Sequence, residues 1–241
     1  MFLGRSLVYE GVHNRRVVSK ADGLVLNTWL KKLNDLEQTP QVLGTEGPVD
    51  PELWVARFDG LDGRVLGALV NFTCHPALHG RRGHKWSADF PGVIAEQMAE
   101  AYGEQMVCVF TQGASGNVNP NTQSDPNWRE KAAVFAKMAV AAAKRATPIE
   151  GPIAVGYARR NVVVPRRDPA DQREGAIARL GWRDKPGGAA PRSPDFPVSA
   201  ARIGPLSIAT NPGELFVEWG LSVKQRSPFL HRLIDVTPAL A

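Results

Sequence analysis

Glu52–Pro76 reads ELWVARFDGLDGRVLGALVNFTCHP. Two apolar runs flank DGLDG, which predicts a β-hairpin whose turn uses glycine for its positive φ. The second run is apolar almost without a break, the pattern of a strand inside a sheet rather than at its edge. His75 follows that strand, and Pro76 forces a turn because proline cannot continue the ladder. Downstream, ADFPGVIAEQMAEAYG places Val93, Ile94, Met98 and Tyr102 at helical spacing, with Asp89 near the start and Gly103 at the stop. QMVCVFTQG predicts a second buried strand, and NWREKAAVFAKMAVAAAKRA a helix of about 20 residues. IAVGYARRNVVVP predicts a long strand, and ARIGPLSIATNPGE a strand pair. GELFVEWGLSVKQRS predicts an amphipathic helix with Leu215, Phe216, Trp219 and Val223 on one face. Residues 1–50 are polar and irregular, with one short helical candidate near NTWLKKLNDLE. This order implies an α/β fold, a mixed β-sheet flanked by helices, in a single domain over residues 1–241.

Composition narrows the class. Hydrophobic residues at 43% and charged residues at 22% are ordinary for a soluble globular chain with a sizeable core. No apolar run approaches the ~18 residues of a transmembrane helix. MFLGRSLVYEGVHNRR, at the start, has no apolar signal core, so nothing in it directs export, and the compartment is left open. Cys74 and Cys108 are too few for a disulfide framework and fall in or beside strand-like runs, which points to buried thiols. The net charge is +5, and residues 151–200 hold nine Arg or Lys against five Asp or Glu. Only Tyr157, Trp182 and Phe196 accompany those arginines, too sparse an interleaving to imply a nucleic-acid platform. Pro, Gly and Arg dominate residues 165–199, which predicts a loop or flap. Oligomeric state leaves no signal.

Three strands end in polar, glycine-rich turns, NFTCHP, VFTQGASGNVNPN and SIATNPGE. Sites in α/β sheets gather beyond strand C-termini, so these turns are expected to converge. His75 stands at such a tip, as a metal ligand, a base or a buried ring bonded to backbone. His79 and His84 lie in the charged loop HGRRGHK, and both read as solvated. Glu214 reads two ways. NPGE makes Asn211 an N-cap and Glu214 the third helical residue, a capping box; a carboxylate at a strand exit also suits a metal. The turn QGASGN offers backbone N–H groups to an oxyanion. Its Ser115 fails the G-x-S-x-G pattern because Asn117 replaces the last glycine. Asn71 matches a glycosylation sequon but falls in a buried strand, so it is discounted.

VHNRRV, GPVDPELWVARFD, LVNFTCHPALHG, SADFPG, VFTQGASGNVNPN and NPGELFVEWGLSVKQRSPF occur in this order and span most of the chain. Together they resemble the catalytic domain of the neutral/alkaline non-lysosomal ceramidase family. The resemblance implies a zinc-dependent hydrolase of an N-acyl amide or related acyl bond in a small-molecule or lipid-like substrate. It implies one Zn2+ with His75 and Glu214 among its ligands, and a catalytic turn containing Gln112, Ser115 and Asn117. The family's first histidine motif and its tyrosine segment have no counterpart in these 241 residues. Gly113 and Ala114 stand where the family carries Ser and Asn, which turns the expectation away from ceramide itself. The chain is therefore expected to be part of a catalytic domain, with weak zinc affinity and weak activity. Two alternatives stand beside it: a metal-free serine hydrolase using Ser115 with His75, and a non-enzymatic remnant of the fold.

Overall fold

The structure is a computed structural model that describes residues 1–20, 22–23, 25–27, 42–80, 85–122, 125–151, 153–163, 195–229 and 231–237. In chain order its elements are β1 (Phe2–Leu7), β2 (Val12–Asn14), β3 (Arg16–Ser19), β4 (Val25–Asn27), β5 (Val42–Thr45), β6 (Glu52–Asp59), β7 (Val65–Phe72), α1 (Asp89–Tyr102), β8 (Val107–Gln112), β9 (Val118–Pro120), α2 (Trp128–Lys144), β10 (Thr147–Pro148), β11 (Val155–Val163), β12 (Asp195–Ile203), β13 (Leu206–Pro212), α3 (Val217–Arg226) and β14 (His231–Thr237). The helical candidate near NTWLKKLNDLE, His84, and most of the stretch 165–199 lie outside the described residues.

The expected hairpin is β6–β7, antiparallel, with Gly63 at φ +79° in its turn. It sits inside a five-stranded sheet of order β10-β1-β6-β7-β8. Only β7 and β8 pair in parallel in this sheet, and α1 makes the crossover a parallel pair requires. A second sheet, β11-β12-β13-β14, packs against the first. Its parallel pair, β13–β14, is joined through α3. Two small sheets, β2-β9 and β4-β3-β5, complete the described structure.

The fold is thus mixed α/β and layered. Helices α1 and α2 cover one face of the first sheet, around a trio of rings: Phe135 lies 5.3 Å from Phe72 and 5.2 Å from Phe90 between centroids. Leu53, Val55 and Val70 join that side. Trp54 and Ala56 point the other way, against Leu206 and Leu233 of the second sheet. Successive side chains of a strand face opposite sides, and in β7 Ala68, Val70 and Phe72 face the helices while Leu69 packs against the second sheet, so burial on both faces accounts for its nearly continuous apolar reading. At Gly4 a Cβ would run into the Ala142 carbonyl, so glycine lets α2 lie directly on β1. Asn71 is 1% exposed, and its Nδ2 donates to Thr111 O at 3.2 Å and Ile234 O at 2.7 Å, tying the two sheets. Buried in this way, the sequon asparagine offers no glycosylation site.

Four local expectations change. The strand β8, predicted as buried, ends its sheet: Cys108 and Phe110 pack on the helix side, while Val107 and Val109, on the opposite face, are 63% and 49% exposed. Cys108 is accordingly half-buried, while Cys74 is fully buried, and both are free thiols. Residues Asp195–Ser199 are strand rather than loop, paired with Arg159–Val163. In α3 the buried residues are Val217, Gly220 and Lys224. The predicted apolar face is the more open one, with Trp219 64% exposed, because the helix presses its other side onto the turn around Ala114.

Candidate functional site

Three chain ends meet where the sheets abut. β7 runs into Thr73–His75, β8 into Gln112–Asn117, and β13 into Gly213–Leu215. The Gly113 N–H donates to Phe72 O at 2.9 Å, and the Gly116 N–H donates to Leu215 O at 2.8 Å. Both approaches require glycine. A Cβ at 113 would run into the Thr73 hydroxyl and stand 3.0 Å from its Cα; one at 116 would run into the Glu214 carbonyl. The serine that the family resemblance puts at position 113 would therefore collide with Thr73.

The Val118 carbonyl holds His75: the His75 N–H donates to Val118 O at 3.0 Å, and its ring Nδ1 lies 3.2 Å from the same oxygen. A carbonyl only accepts, so in the neutral ring Nδ1 carries the hydrogen and Nε2 presents its lone pair. Nε2 stands 3.8 Å from Glu214 Oε2. Arg15, just after β2, brings a guanidinium nitrogen to 3.8 Å from the same oxygen and donates to Gly116 O at 2.5 Å. Burial pushes the Arg15 guanidinium down from its ordinary pKa, and the charge of Glu214 opposes that push. The Arg15 side chain is only 6% exposed, whereas Glu214 is 65% exposed, so the carboxylate is the open side of the cluster.

A nitrogen and an oxygen donor are types that zinc takes, and on one tetrahedral Zn2+ at about 2.0–2.2 Å they lie roughly 3.3–3.6 Å apart; His75 Nε2 and Glu214 Oε2, at 3.8 Å, stand slightly wider than that. Among the described residues no group of three or more His, Cys, Asp or Glu side chains comes together to hold a metal ion.

Glu214 is not part of a capping box. Asn211 and Pro212 extend β13 by pairing with Val236 and Thr237, and the helix begins only at Val217. Its first N–H is capped from another segment: Asn117 Oδ1 accepts from Val217 N at 2.8 Å. The other end of the Asn117 carboxamide donates to both oxygens of Glu218, at 2.9 and 3.2 Å. Asn117 O also accepts from Arg15 N at 2.8 Å. Residues 116–118 thus touch the segments carrying Arg15, His75 and Glu214. Ser115 is 1% exposed, and its hydroxyl accepts from the Gln112 amide.

His79 is half-buried rather than solvated, its ring edge-on to Trp128 at 5.2 Å. Asp89, at φ +54°, accepts from the N–H groups of Leu78, His79 and Phe90 at 3.2, 2.6 and 2.8 Å, which fixes the loop after His75. Beneath Thr73 lies a buried ion pair, Lys224 Nζ to Asp50 Oδ2 at 2.6 Å, with Glu52 Oε2 at 3.1 Å. The Thr73 hydroxyl donates to the same Asp50 oxygen at 3.4 Å. Sequence reasoning gave no role to Arg15 or Lys224. Arg15 stood within VHNRRV, but a three-residue strand has no period to single it out. Lys224 is not among the apolar residues that marked the helix in the sequence.

No family model and no curated protein matches the sequence. Solved structures do. Neutral ceramidase from Pseudomonas aeruginosa aligns at TM-score 0.64 and 18% identity, over 98% of this chain and 44% of that one. A ceramidase complexed with C2 aligns at TM-score 0.64 and 17% identity, over 99% of this chain and 47% of that one. The chain therefore has the ceramidase fold, and it spans less than half the length of each of these structures.

Proposed function

We propose that this chain, built on the ceramidase fold, carries part of the site of a zinc-dependent hydrolase that cleaves the amide of a lipid-like N-acyl substrate. The observation that supports this most is the approach of His75 Nε2 to Glu214 Oε2, 3.8 Å apart at the ends of strands from two different sheets. Zinc, when bound, supplies a Lewis acid for the acyl carbonyl and activates water at neutral pH. His75 and Glu214 would hold it, two of the three protein ligands that catalytic zinc normally takes. Weak zinc affinity and slow turnover are accordingly expected of this chain. Arg15 balances the Glu214 charge from the buried side and is placed to stabilise negative charge growing beside it. The turn around Gly116 sets the spacing of all three side chains. A serine-hydrolase reading finds less support, since the Ser115 hydroxyl is buried and bonded to Gln112.

The test is release of fatty acid from an N-acyl lipid amide, with added zinc and with chelator, in the chain and in the variants His75→Ala and Glu214→Gln. Zinc-stimulated release, lost with chelator and in both variants, is expected. Release indifferent to chelator but lost in Ser115→Ala would replace this reading with the serine hydrolase.

A further inference from the structure

His13 takes no part in the site described above, yet it is 4% exposed in β2. Its Nδ1 lies 3.3 Å from Asn121 Oδ1. An amide oxygen only accepts, so Nδ1 carries the hydrogen and Nε2 holds a lone pair. That Nε2 is buried and has no hydrogen-bond partner among the described residues. Burial pushes the His13 pKa down, and the Asn121 contact only partly opposes it, so the ring is neutral at neutral pH.

Directly opposite His13 in the β2–β9 ladder stands Asn119. It is 0% exposed, and its Oδ1 and Nδ2 are likewise buried without partners among the described residues. Directly opposed residues of an antiparallel pair face the same side, with Cβ atoms about 4.5–5.5 Å apart. Three unpartnered polar atoms are thus gathered at one rung. Each costs about 1–3 kcal/mol if left so, a large share of the stability of a domain.

We infer that a single buried water molecule is bound between His13 and Asn119. The polarity of the three atoms selects it. His13 Nε2 and Asn119 Oδ1 each need a donor, and Asn119 Nδ2 needs an acceptor. A cation cannot accept from Nδ2, and an anion cannot donate to Nε2. An alcohol has one donor for two acceptors. Water donates twice and accepts once, the roughly three bonds usual for an internal water. Reversing the Asn119 amide exchanges its two ends and leaves the count unchanged.

The water would brace the candidate site from behind. His13 lies two residues before Arg15, whose N–H carries the pairing one step past β2 by donating to Asn117 O at 2.8 Å. Asn119 follows Val118, whose carbonyl holds His75. A bridged rung fixes β2 against β9 and so fixes Arg15 against His75. This inference stands independently of the zinc reading, because nothing in it depends on metal or turnover.

The test uses the whole chain. A crystal structure at high resolution should show a water within hydrogen-bond distance of His13 Nε2, Asn119 Oδ1 and Asn119 Nδ2. Nitrogen-15 NMR at pH 7 should give His13 the Nδ1–H tautomer, and the Asn119 side-chain amide should show cross-peaks to a long-lived water. In His13→Phe those cross-peaks should vanish. Protein groups filling the three positions, an Nε2–H tautomer, or an Asn119 amide without a bound water would each overturn the inference. The wild-type measurements decide it even if the variant does not fold.

Discussion

Asn117→Asp changes one atom of the side chain and reverses its role at one end. The carboxylate can still accept from Val217 N, which Asn117 Oδ1 does at 2.8 Å. It can no longer donate to Glu218, which receives two bonds at 2.9 and 3.2 Å. Bonds to a charged acceptor contribute about 1.5–3 kcal/mol each when intact. The lower end applies here, because Glu218 is open to solvent, and the new pair of like charges adds to the loss. The cost should be about 2–4 kcal/mol in urea unfolding, read as a lower midpoint at unchanged slope. Glu218→Gln alone should cost about 1 kcal/mol. Combining the two substitutions restores the polarity: the new carboxylate accepts from the new carboxamide as well as from Val217 N. The double variant should recover to within about 1 kcal/mol of wild type, a coupling that a double-mutant cycle measures directly. Additive losses, or a cost under about 0.5 kcal/mol for Asn117→Asp, would refute the claim that Asn117 clasps α3 and its preceding loop.

Lys224→Met strands Asp50, which bonds Lys224 at 2.6 Å while 3% exposed; a loss of about 3–5 kcal/mol in chemical denaturation is expected. Stability should fall on acidification. Burial lowers the pKa of His13 and His231 in the folded chain, with Arg232 and Arg5 adding to the effect at His231. The unfolded chain therefore binds protons first, and stability drops as pH falls below about 6.5. Burial alone would raise Glu52, but Lys224, Trp54 and Arg5 together hold it down, which adds a further loss below about pH 4.5; thermal melts from pH 7.5 to 4 check both. Burial pushes the Cys108 thiol up to about 11 and Cys74 well above its ordinary value. At pH 8 only about one Cys108 in a thousand is thiolate, so alkylation of the folded chain should be far slower than in denaturant.

Elements with a long period were legible in the sequence. The β6–β7 hairpin, α1 and α2 each carry eight or more residues of consistent patterning. The convergence of three strand exits followed from the same pattern. What failed was decided by distant partners. Asn211 and Pro212 look like a helix start, but pairing with β14 keeps them in a strand, and Asn117 caps the helix that follows. The covered face of α3 depends on Ala114, whose Cβ a side chain at Gly220 would meet. Arg15 and His13 sit on or beside a short strand whose partner, β9, lies about a hundred residues away, and no local pattern marks such a pairing.

The most direct measurement is zinc titration of the chain by calorimetry, beside His75→Ala, Glu214→Gln and His79→Ala. If His75 and Glu214 share one ion, the chain binds zinc weakly. Each of the first two variants abolishes that binding, and His79→Ala leaves it unchanged. Zinc binding that survives both His75→Ala and Glu214→Gln would contradict the account, as would a wild-type chain that binds none.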